Sequence, residues 1–354
     1  MAVFALDAAQ YRELEKIAEG AFHPLDGFCT DVQVASILES LALPDGAVFP
    51  LPVLLDVPAA TARHAGSHID LTFQGFPVGR LDVHSVFTLD KGAAARRLFG
   101  TDDPAHPGVQ RLRAGHDRFV GGPVHGFTPV PGARPDWELS PRQTRAAFAT
   151  RGWHTVAGFQ TRNVPHRAHE YLLRVALENV DGLLVHPLIG WKKTGDYTAE
   201  AIRQGYRALL DDFFVRDRVL LSAFSANMRY AGPREALFHA VVRRNYGCTH
   251  FIIGRDHAGV GGYYGLYDAH DLVRRFEDRL GISILYLHGP FHCEVCDGIV
   301  TDKTCPHRAT LPQRTVDISG TQVRDSLRQD GAVDVRLVRP EIIDSIRDIP
   351  VFME

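Results

Sequence analysis

The sequence lacks the long apolar runs that membrane segments require. No stretch of its 354 residues approaches the roughly 18 consecutive apolar residues of a membrane-spanning helix. The N-terminal segment has no basic stretch followed by an apolar one, so it does not resemble a signal peptide. These absences predict a soluble, cytoplasmic protein with no membrane partner.

The chain also lacks an excess of positive charge. It carries 39 lysine and arginine residues against 42 aspartate and glutamate residues, which gives a formal net charge of −3. Nucleic acids and anionic membranes bind through basic surfaces, so the composition argues against a nucleic-acid partner, and any anion site must be local. The sequence has no G-x4-G-K-[ST] phosphate-binding loop, no internal repeat and no low-complexity tract.

Cysteine is scarce, but it is clustered. Only five residues are cysteine, and three of them lie within residues 293–305. In a reducing compartment such a cluster indicates a metal site rather than disulfides. Four protein ligands would leave no open position, so we expect a structural Zn²⁺ and not a catalytic one. The candidate ligands are Cys293, Cys296, Cys305 and His307, with His292 as an alternative to the last.

Two kinds of pattern divide the chain. Residues 1–120 alternate apolar and polar positions between glycines and prolines, which predicts a β-rich region with a short opening helix. The glycine- and proline-rich segment 120–140 is expected to be a linker. From Ser140, a predicted helix cap, apolar strands alternate with helical patterns, which predicts an α/β domain with a parallel sheet covered by helices. The expected strands are 155–159, 182–189, 218–224, 249–254 and 282–287, the expected helices are 164–179, 199–214, 233–246 and 268–279, and residues 311–354 should be mostly helical.

Ligands of a parallel sheet bind where its strands end. Gln160, Arg162 and Asn163 follow the first of these strands, and His166 and His169 lie three residues apart at the start of the next helix. The planar fork of arginine suits a tetrahedral oxyanion, while a helix N-terminus and imidazoles suit phosphates. The segment therefore favours an anion site over a plain helix start with two solvent-facing histidines.

Two further segments have the residue types of a nucleotide site. "GRDHAGVGGYYG", residues 254–265, follows another predicted strand, and its glycines allow a ligand to approach the backbone closely. Asp256 and His257 add polar groups to it. "ISGTQVR", residues 318–324, offers two hydroxyl groups and Arg324 to a polyphosphate, although an ordinary capped helix is the alternative.

Two other segments admit plainer interpretations. In "NMRYAGPREA", residues 227–236, Arg229 could face the site, whereas Arg234 and Glu235 could merely cap a helix. "HPLIGWKKTGD", residues 186–196, also follows a predicted strand, but its two adjacent lysines equally suit an exposed surface.

Several of these motifs together resemble the ATP sulfurylase (sulfate adenylyltransferase) family. "QTRNVPHRAHE", "MRYAGPREA", "THFIIGRDHAG" and "ISGTQVR" resemble its core motifs in the family's order, and "GAFHPLDGFCT" resembles another of its segments. The resemblance covers nearly the whole chain. It implies a PUA-like β-rich domain at residues 1–136, a Rossmann-like nucleotidyltransferase domain at 137–290, and a zinc-binding and C-terminal helical region at 291–354, as in some bacterial members.

The resemblance also implies a reaction. ATP and sulfate would give adenosine 5′-phosphosulfate and pyrophosphate reversibly, with Mg²⁺ on the ATP phosphates and the protein acting as a homo-oligomer, a dimer being favoured. Sulfate would bind Gln160, Arg162 and the backbone of Ala258. The residues implied to be catalytic are Thr161, Arg162, Asn163, His166 and His169. Those implied to bind ATP are the same five together with Gln160, Gly254, Arg255, Asp256, His257, Ser319, Thr321 and Arg324.

Other functions are compatible with parts of the pattern. A related nucleotidyltransferase with a different acceptor would share the two histidines and the serine–threonine–arginine motif, but Gln160 and Arg162 favour an oxyanion. A nucleic-acid-binding protein could combine a PUA-like domain with zinc, but the net charge argues against it. The missing phosphate-binding loop argues against an appended adenosine-phosphosulfate kinase.

Overall fold

The computed structural model describes residues 2–328 and 333–354. They divide into two units, each built from three stretches of chain. Unit 1 is Met1–Ala147, Phe224–Gly247 and Asp256–Ser283, and unit 2 is Phe148–Ala223, Cys248–Arg255 and Ile284–Glu354. The domain boundaries expected at 136/137 and 290/291 stay a prediction. Among the described residues, no helix is both long and apolar enough to cross a bilayer.

The N-terminal part of unit 1 contains the expected β-structure, a seven-stranded sheet. Its strands are β1 (Ala2–Ala5), β2 (Gly27–Phe28), β3 (Asp56–Val57), β4 (His68–Phe73), β5 (Phe76–Asp82), β6 (Ser85–Phe87) and β7 (Arg118–His125). They follow the order β1-β4-β5-β7-β2, and β3 and β6 also pair with β7. Alternate residues of β4, Ile69, Leu71 and Phe73, are buried, as expected of a strand with one face in the core.

The predicted linker at 120–140 is wrong in its first part. Strand β7 occupies those positions and pairs with four other strands of the sheet. Its glycines permit close packing: a Cβ at Gly121 would lie 2.3 Å from the carbonyl oxygen of Cys29, and one at Gly122 would lie 1.9 Å from that of Asp82. The glycines that suggested a flexible segment are therefore needed where backbones approach each other.

Unit 1 contains more helix than the single opening helix predicted for residues 1–120. Cap signals explain two of the additional helices: Thr30 and Gln33 form a capping box at one N-terminus, and Asp90 accepts the N–H of Ala93 at another. The helices are α1 (Ala8–Ala18), α2 (Asp31–Ser40), α3 (Ala59–Arg63), α4 (Lys91–Phe99) and α5 (Pro107–Ala114).

Four helices follow later in the chain and belong wholly or largely to unit 1. Ser140 caps the first, as predicted, because its hydroxyl accepts the N–H of Gln143 at 3.3 Å. The helix expected at 268–279 is interrupted at Phe276, where the backbone leaves helical values (φ −121°, ψ 0°) and the side chain is buried. These helices are α6 (Pro141–Thr150), α9 (Pro233–Asn245), α10 (Asp268–Arg274) and α11 (Glu277–Leu280).

Unit 2 contains the predicted parallel sheet, in the order β10-β9-β8-β11-β12. The strands are β8 (Val156–Thr161), β9 (Gly182–Pro187), β10 (Val219–Leu221), β11 (His250–Ile253) and β12 (Ser283–Tyr286), all within the expected segments or close to them. The pairs β8–β9, β9–β10 and β8–β11 are parallel. Helix α7 (Arg167–Leu177) packs against β8 and β9, and α8 (Ala199–Phe213) packs against β10.

The C-terminal part of unit 2 adds a second, smaller sheet. Strands β13 (Phe291–Cys293), β14 (Gly298–Val300) and β15 (Thr315–Asp317) are antiparallel, with β13 in the middle. Helices α13 (Gly320–Arg328) and α14 (Pro340–Ile346) lie in the region predicted to be mostly helical, but they cover less than half of it, and α12 (His307–Thr310) comes before it. Helix α14 packs on α8.

Gly182 is expected to be essential for the packing of β9. A Cβ at this position would lie 2.3 Å from the Trp153 ring, so Gly182→Ala should displace the ring and destabilise the protein by about 1–3 kcal/mol. Thermal denaturation would measure the loss. Gly298→Ala is the matched control, because the nearest atom to its Cβ would be 3.9 Å away. Equal melting temperatures for the two variants would contradict the prediction.

Candidate functional site

The first predicted motif lies where β8 gives way to α7. Strand β8 runs as far as Thr161, further than predicted. Gln160, the residue before Thr161 in this strand, is half-buried. The Thr161 hydroxyl accepts the N–H of Asn163 at 3.1 Å, which turns the chain at the end of the strand. Gln160, Arg162 and Asn163 thus lie at the carboxyl edge of the parallel sheet, where the sequence places them.

The two histidines are held by the start of α7. His166 is the N-cap residue rather than part of the first turn, and its Nδ1 accepts the N–H of His169 at 3.4 Å. The two rings are stacked with 3.7 Å between their centroids. The hydroxyl of Tyr206 lies 3.3 Å from Nδ1 of His169. Their orientations are therefore fixed by the fold, which excludes the alternative of two solvent-facing histidines.

Both imidazoles are neutral at physiological pH. Burial, together with the positive charge of Arg255, lowers the pKa of His166 to about 3. Burial and the neighbouring His166 hold the pKa of His169 well below its usual value. Because Nδ1 of His166 accepts a hydrogen bond, its proton is on Nε2, and the ring can donate from that atom. The histidines can thus bind an anion as neutral donors.

Several cations surround the buried carboxylate of Asp196. Nε of Arg162 lies 3.8 Å from one carboxylate oxygen. Nη1 of Arg324 and Nζ of Lys193 lie 4.0 Å and 3.7 Å from the other. One negative charge is thus shared among several positive ones, and the remaining net positive charge attracts an oxyanion. We call Asp196, Arg162, Arg324 and Lys193 the Asp196 group.

Lys192 is one of the two adjacent lysines of "HPLIGWKKTGD" that equally suited an exposed surface, and the structure buries it; Asp196, in the same segment, was not singled out. The lysine is only 4% exposed, and its Nζ donates to the carbonyl oxygen of Tyr197 at 2.6 Å. Burial lowers the pKa of Lys192 to about 8, with Asp196 opposing this shift and Arg162 adding to it. Both residues lie in the loop after β9, the strand next to β8. A position just after a parallel strand was the signal in the sequence that could have marked them as candidate site residues.

Two motifs that are distant in sequence meet in unit 2. Nη2 of Arg324 donates to Oδ1 of Asn163 at 3.3 Å. A Cβ at Gly320 would lie only 2.9 Å from Nδ2 of Asn163, so a larger residue at that position would displace the Asn163 amide. The "ISGTQVR" segment therefore contributes Arg324 to the same place as the strand-to-helix turn after β8.

The other predicted residues of unit 2 differ in their surroundings. Ser319 caps α13, because its Oγ accepts the N–H of Gln322 at 3.2 Å, so the capped-helix interpretation holds for this residue. Thr321 is exposed. Nη2 of Arg255 donates to the carbonyl oxygen of Ile318 at 3.3 Å, which ties the "GRDHAG" arginine to the segment before α13.

The "GRDHAG" loop passes from one unit to the other. Gly254 and Arg255 belong to unit 2, and Asp256 and the residues after it belong to unit 1. Asp256 and Ala258 have positive φ angles of 51° and 57°. Such values cost a non-glycine residue about 1–2 kcal/mol, so other interactions must hold the loop in this conformation.

The "NMRYAGPREA" segment packs within unit 1. Nη2 of Arg229 lies 2.8 Å from a carboxylate oxygen of Glu13 in α1. Arg234 donates to backbone carbonyls near the end of α2. Nδ1 of His239, further along α9, lies 3.1 Å from Nε2 of His257 in the "GRDHAG" loop. Arg229 and Arg234 therefore have structural partners. The contact with the "GRDHAG" loop is made by His239, a residue that the sequence did not suggest.

Unit 1 also contains a cavity of about 360 Å³. Its walls include apolar side chains such as Leu54 and Phe119 and the charged residues Glu13, Arg111 and Arg229. None of the described residues predicted to bind sulfate or ATP lines it, so this cavity does not identify the candidate site.

The cysteine cluster has the geometry of a metal site. Its four ligand atoms all lie within 4.8 Å of one another. The Sγ atoms of Cys296 and Cys305 are 3.5 Å apart, which is far longer than the roughly 2.05 Å of a disulfide. Nδ1 of His307 lies 3.3 Å from Sγ of Cys296. Such spacing suits a tetrahedral ion with sulfur and nitrogen ligands. The described group consists of Cys293, Cys296, Cys305 and His307, without His292.

Comparisons with known proteins agree with the motifs. A family model described as ATP-sulfurylase matches residues 135–349, and one described as a PUA-like domain matches residues 1–129. The sulfate adenylyltransferase of Deinococcus radiodurans is 44% identical over 343 residues, covering 97% of this chain and 88% of that protein. The sulfate adenylyltransferase of Aeropyrum pernix is 42% identical and covers 97% of this chain and 93% of its own length.

A solved structure shares the fold. A hexameric APS kinase from Thiobacillus denitrificans superimposes with a TM-score of 0.74 at 25% sequence identity. The match covers 98% of this chain but only 63% of that chain, so the chain spans less than two thirds of the protein it resembles.

Replacing His166 by glutamine is expected to reduce the acid sensitivity of the fold. A histidine with a folded pKa of about 3 and an unfolded pKa of about 6.5 takes up its proton first in the unfolded chain. It therefore costs no stability above about pH 6.5 and destabilises the fold progressively below it. Between about pH 7.5 and pH 5, the Tm of His166→Gln should fall less than that of the wild type.

The exposed residue His84 offers a control for this experiment. His84→Gln removes an exposed histidine and leaves His166 in place, so the Tm of this variant should fall with pH as much as that of the wild type. Equal losses of Tm in all three proteins would contradict the assignment.

Proposed function

Because the chain belongs to the ATP-sulfurylase family, we propose that it is a sulfate adenylyltransferase, which joins sulfate to the α-phosphate of ATP. An oxygen of sulfate forms a bond to the α-phosphorus, and the bond from that phosphorus to the bridging oxygen of the β-phosphate breaks. The products are adenosine 5′-phosphosulfate and pyrophosphate, and the reaction is reversible. The observation that supports this best is the net positive Asp196 group beside two neutral histidines at the edge of the sheet.

Gln160 and Arg162 are the residues we propose for sulfate. The amide of Gln160 and the guanidinium of Arg162 both provide N–H donors in a partly buried setting. The arginine fork matches a tetrahedral oxyanion in shape and charge. The other cations of the Asp196 group reduce the repulsion between sulfate and the α-phosphate, which both carry negative charge.

The reaction requires positioning and charge neutralisation more than proton transfer. Sulfate is already an anion, so no strong general base is needed, and no residue has to form a covalent intermediate. Holding the sulfate oxygen in line with the leaving pyrophosphate supplies much of the rate enhancement. Thr161 and Asn163 shape the turn that presents Arg162, and Asn163 also binds Arg324.

His166 and His169 are proposed to stabilise the leaving group. Charge accumulates on the pyrophosphate as the bond breaks, and preorganised donors at that place lower the barrier. A neutral imidazole donating from Nε2, at the N-terminus of α7, provides such a donor without needing to be protonated. The catalytic rate should therefore not require an imidazolium.

The resemblance assigns further residues to the substrates. It gives Gly254, Arg255, Asp256 and His257 to ATP and the backbone of Ala258 to sulfate. Arg255 supports this through its charge, which acts on His166. For Ser319 and Thr321 the role rests on the resemblance alone, whereas the contact of Arg324 with Asn163 supports a role at the reacting centre.

Mg²⁺ is proposed to arrive with ATP. Among the described residues, the cluster of potential metal ligands consists of thiols and an imidazole, and these soft donors do not suit Mg²⁺. The ion would therefore be bound mainly by the phosphate oxygens. When bound there, it supplies positive charge to the phosphates.

Zn²⁺ is the ion we propose for the cysteine cluster. Three thiols and one imidazole, whose ligand atoms all lie within 4.8 Å of one another, are the donor set that Zn²⁺ prefers. Four protein ligands complete a tetrahedral shell, so the ion would stabilise the fold without taking part in the reaction. We also propose a homo-oligomer, first of all a dimer, on the ground of the resemblance to the family, and a cytoplasmic location on the ground of the sequence.

The proposed reaction predicts sulfate-dependent release of pyrophosphate from ATP, which Arg162→Ala abolishes. Loss of the arginine should lower kcat/KM for sulfate by at least about 100-fold, because it removes a charged donor at the reacting centre. Arg142→Ala, at an exposed position on α6, is the matched control and should keep full activity. Circular dichroism should show the same fold in all three proteins.

Two outcomes would contradict the assignment. Pyrophosphate release that needs a phosphorylated or sugar acceptor instead of sulfate would indicate a different nucleotidyltransferase. Near-normal turnover by Arg162→Ala would show that this residue does not bind sulfate.

The metal proposal predicts about one zinc ion per chain, measurable by elemental analysis of the purified protein. Cys296→Ser should lose the zinc and lower the Tm, because the metal links β13 to the segment before α12. Cys248→Ala, which alters a buried cysteine outside the cluster, should keep the metal. A wild-type protein without zinc and with the same Tm as Cys296→Ser would refute the proposal.

A further inference from the structure

Three polar residues of unit 1 form a chain that ends in the "GRDHAG" loop. Glu235 and His239 lie one turn apart on α9, and both are buried. Nε2 of His239 is 3.7 Å from Oε1 of Glu235, and its Nδ1 is 3.1 Å from Nε2 of His257. A carboxylate on one side of an imidazole favours a proton on the nitrogen facing it. His239 would then accept at Nδ1 the hydrogen bond that His257 donates.

The carboxylate at the start of this chain is itself fixed. Oε1 of Glu235 accepts the N–H of Arg229 at 2.9 Å, and Oε2 accepts the N–H of Ala231 at 3.0 Å. Both donors belong to the "NMRYAGPREA" segment, which has no other role in the proposed reaction. A carboxylate with both oxygens occupied in this way keeps its orientation and therefore that of the histidine beside it.

The same segment also holds the loop on the other side of His257. The N–H of Gly232 donates to the carbonyl oxygen of Ala258 at 3.3 Å. Asp256 and Ala258, which flank His257, have the positive φ angles described above. A loop in this conformation persists only where surrounding contacts determine it, and residues 229–239 supply some of these contacts, beside the hydrogen bond from the N–H of Asp256 to the carbonyl oxygen of Leu266.

We propose that His239, oriented by Glu235, is a positioning residue for His257, and that the "NMRYAGPREA" segment serves the reaction by setting the shape of this loop. The structural part of the proposal rests on the contacts of unit 1. Its effect on turnover rests on the proposed function, in which the loop binds ATP and the Ala258 backbone binds sulfate.

The kinetic test compares His239→Leu with His239→Asn. Leucine removes the acceptor for His257, whereas asparagine places an amide oxygen near the position of Nδ1. We expect His239→Leu to lower kcat/KM for ATP about tenfold, the equivalent of one lost hydrogen bond, and His239→Asn to stay within about threefold of the wild type. Equal losses in both variants would overturn the proposal, because a purely structural histidine would not be rescued by asparagine.

A spectroscopic test is independent of activity. The ¹⁵N shifts of His257, assigned by comparison with His257→Gln, report which ring nitrogen carries the proton. In the wild type they should show the proton on Nε2, and in His239→Leu they should move toward a mixture of tautomers. Unchanged shifts would overturn the proposal. If the wild type released no pyrophosphate with sulfate, the proposed function would fail, and these shifts would still decide the role of His239.

Discussion

Positive charges must be held close together before a site can attract a doubly charged anion, and the buried carboxylate of Asp196 does this here. Arg162 comes from the turn after β8 and Arg324 from α13, and each has a guanidinium nitrogen within 4.0 Å of that carboxylate. Without it the two cations would repel each other in a partly desolvated space. One carboxylate neutralises only part of the positive charge of the Asp196 group. The cations can therefore be held together within the fold, and the group still attracts an oxyanion.

Much of the fold follows from the hydrophobic pattern. Continuous apolar strands that alternate with amphipathic helices predict a parallel sheet, and the end of β8 predicts where a ligand binds. The prediction from this pattern was wrong where one residue type, glycine, occurs in two kinds of structure. The glycines of β7 suggested a linker because glycine is common in flexible segments, but Gly121 and Gly122 are there to let strands approach closely. Composition alone does not distinguish a glycine in a flexible segment from one in a closely packed strand. The distinction depends on how near other backbone atoms lie in the folded protein.

The candidate site was predictable in its parts but not in its contacts. Local sequence places Gln160 and Arg162 at a strand end, because that depends on residues nearby in the chain. It does not show that Asn163 meets Gly320, or that Lys192 is buried, since both depend on packing between distant segments. Hydrophobic periodicity indicates which face of a helix or strand is buried, but it does not indicate which other element packs against that face. The resemblance to a family supplied the residues of the site, and the structure supplied the partners of those in unit 2.

The small antiparallel sheet connects the cysteine cluster to Arg255, which we propose to bind ATP. Cys293 on β13 is paired with Thr315 on β15, and the residue after β15, Ile318, accepts a hydrogen bond from Arg255. Because only a few covalent and hydrogen bonds separate β13 from Arg255, a displacement of β13 would therefore shift the position of Arg255. If the cluster holds the proposed Zn²⁺, a chelating agent in a purification buffer would yield an inactive preparation in which every proposed site residue is present, and restoring the metal during refolding would be the remedy.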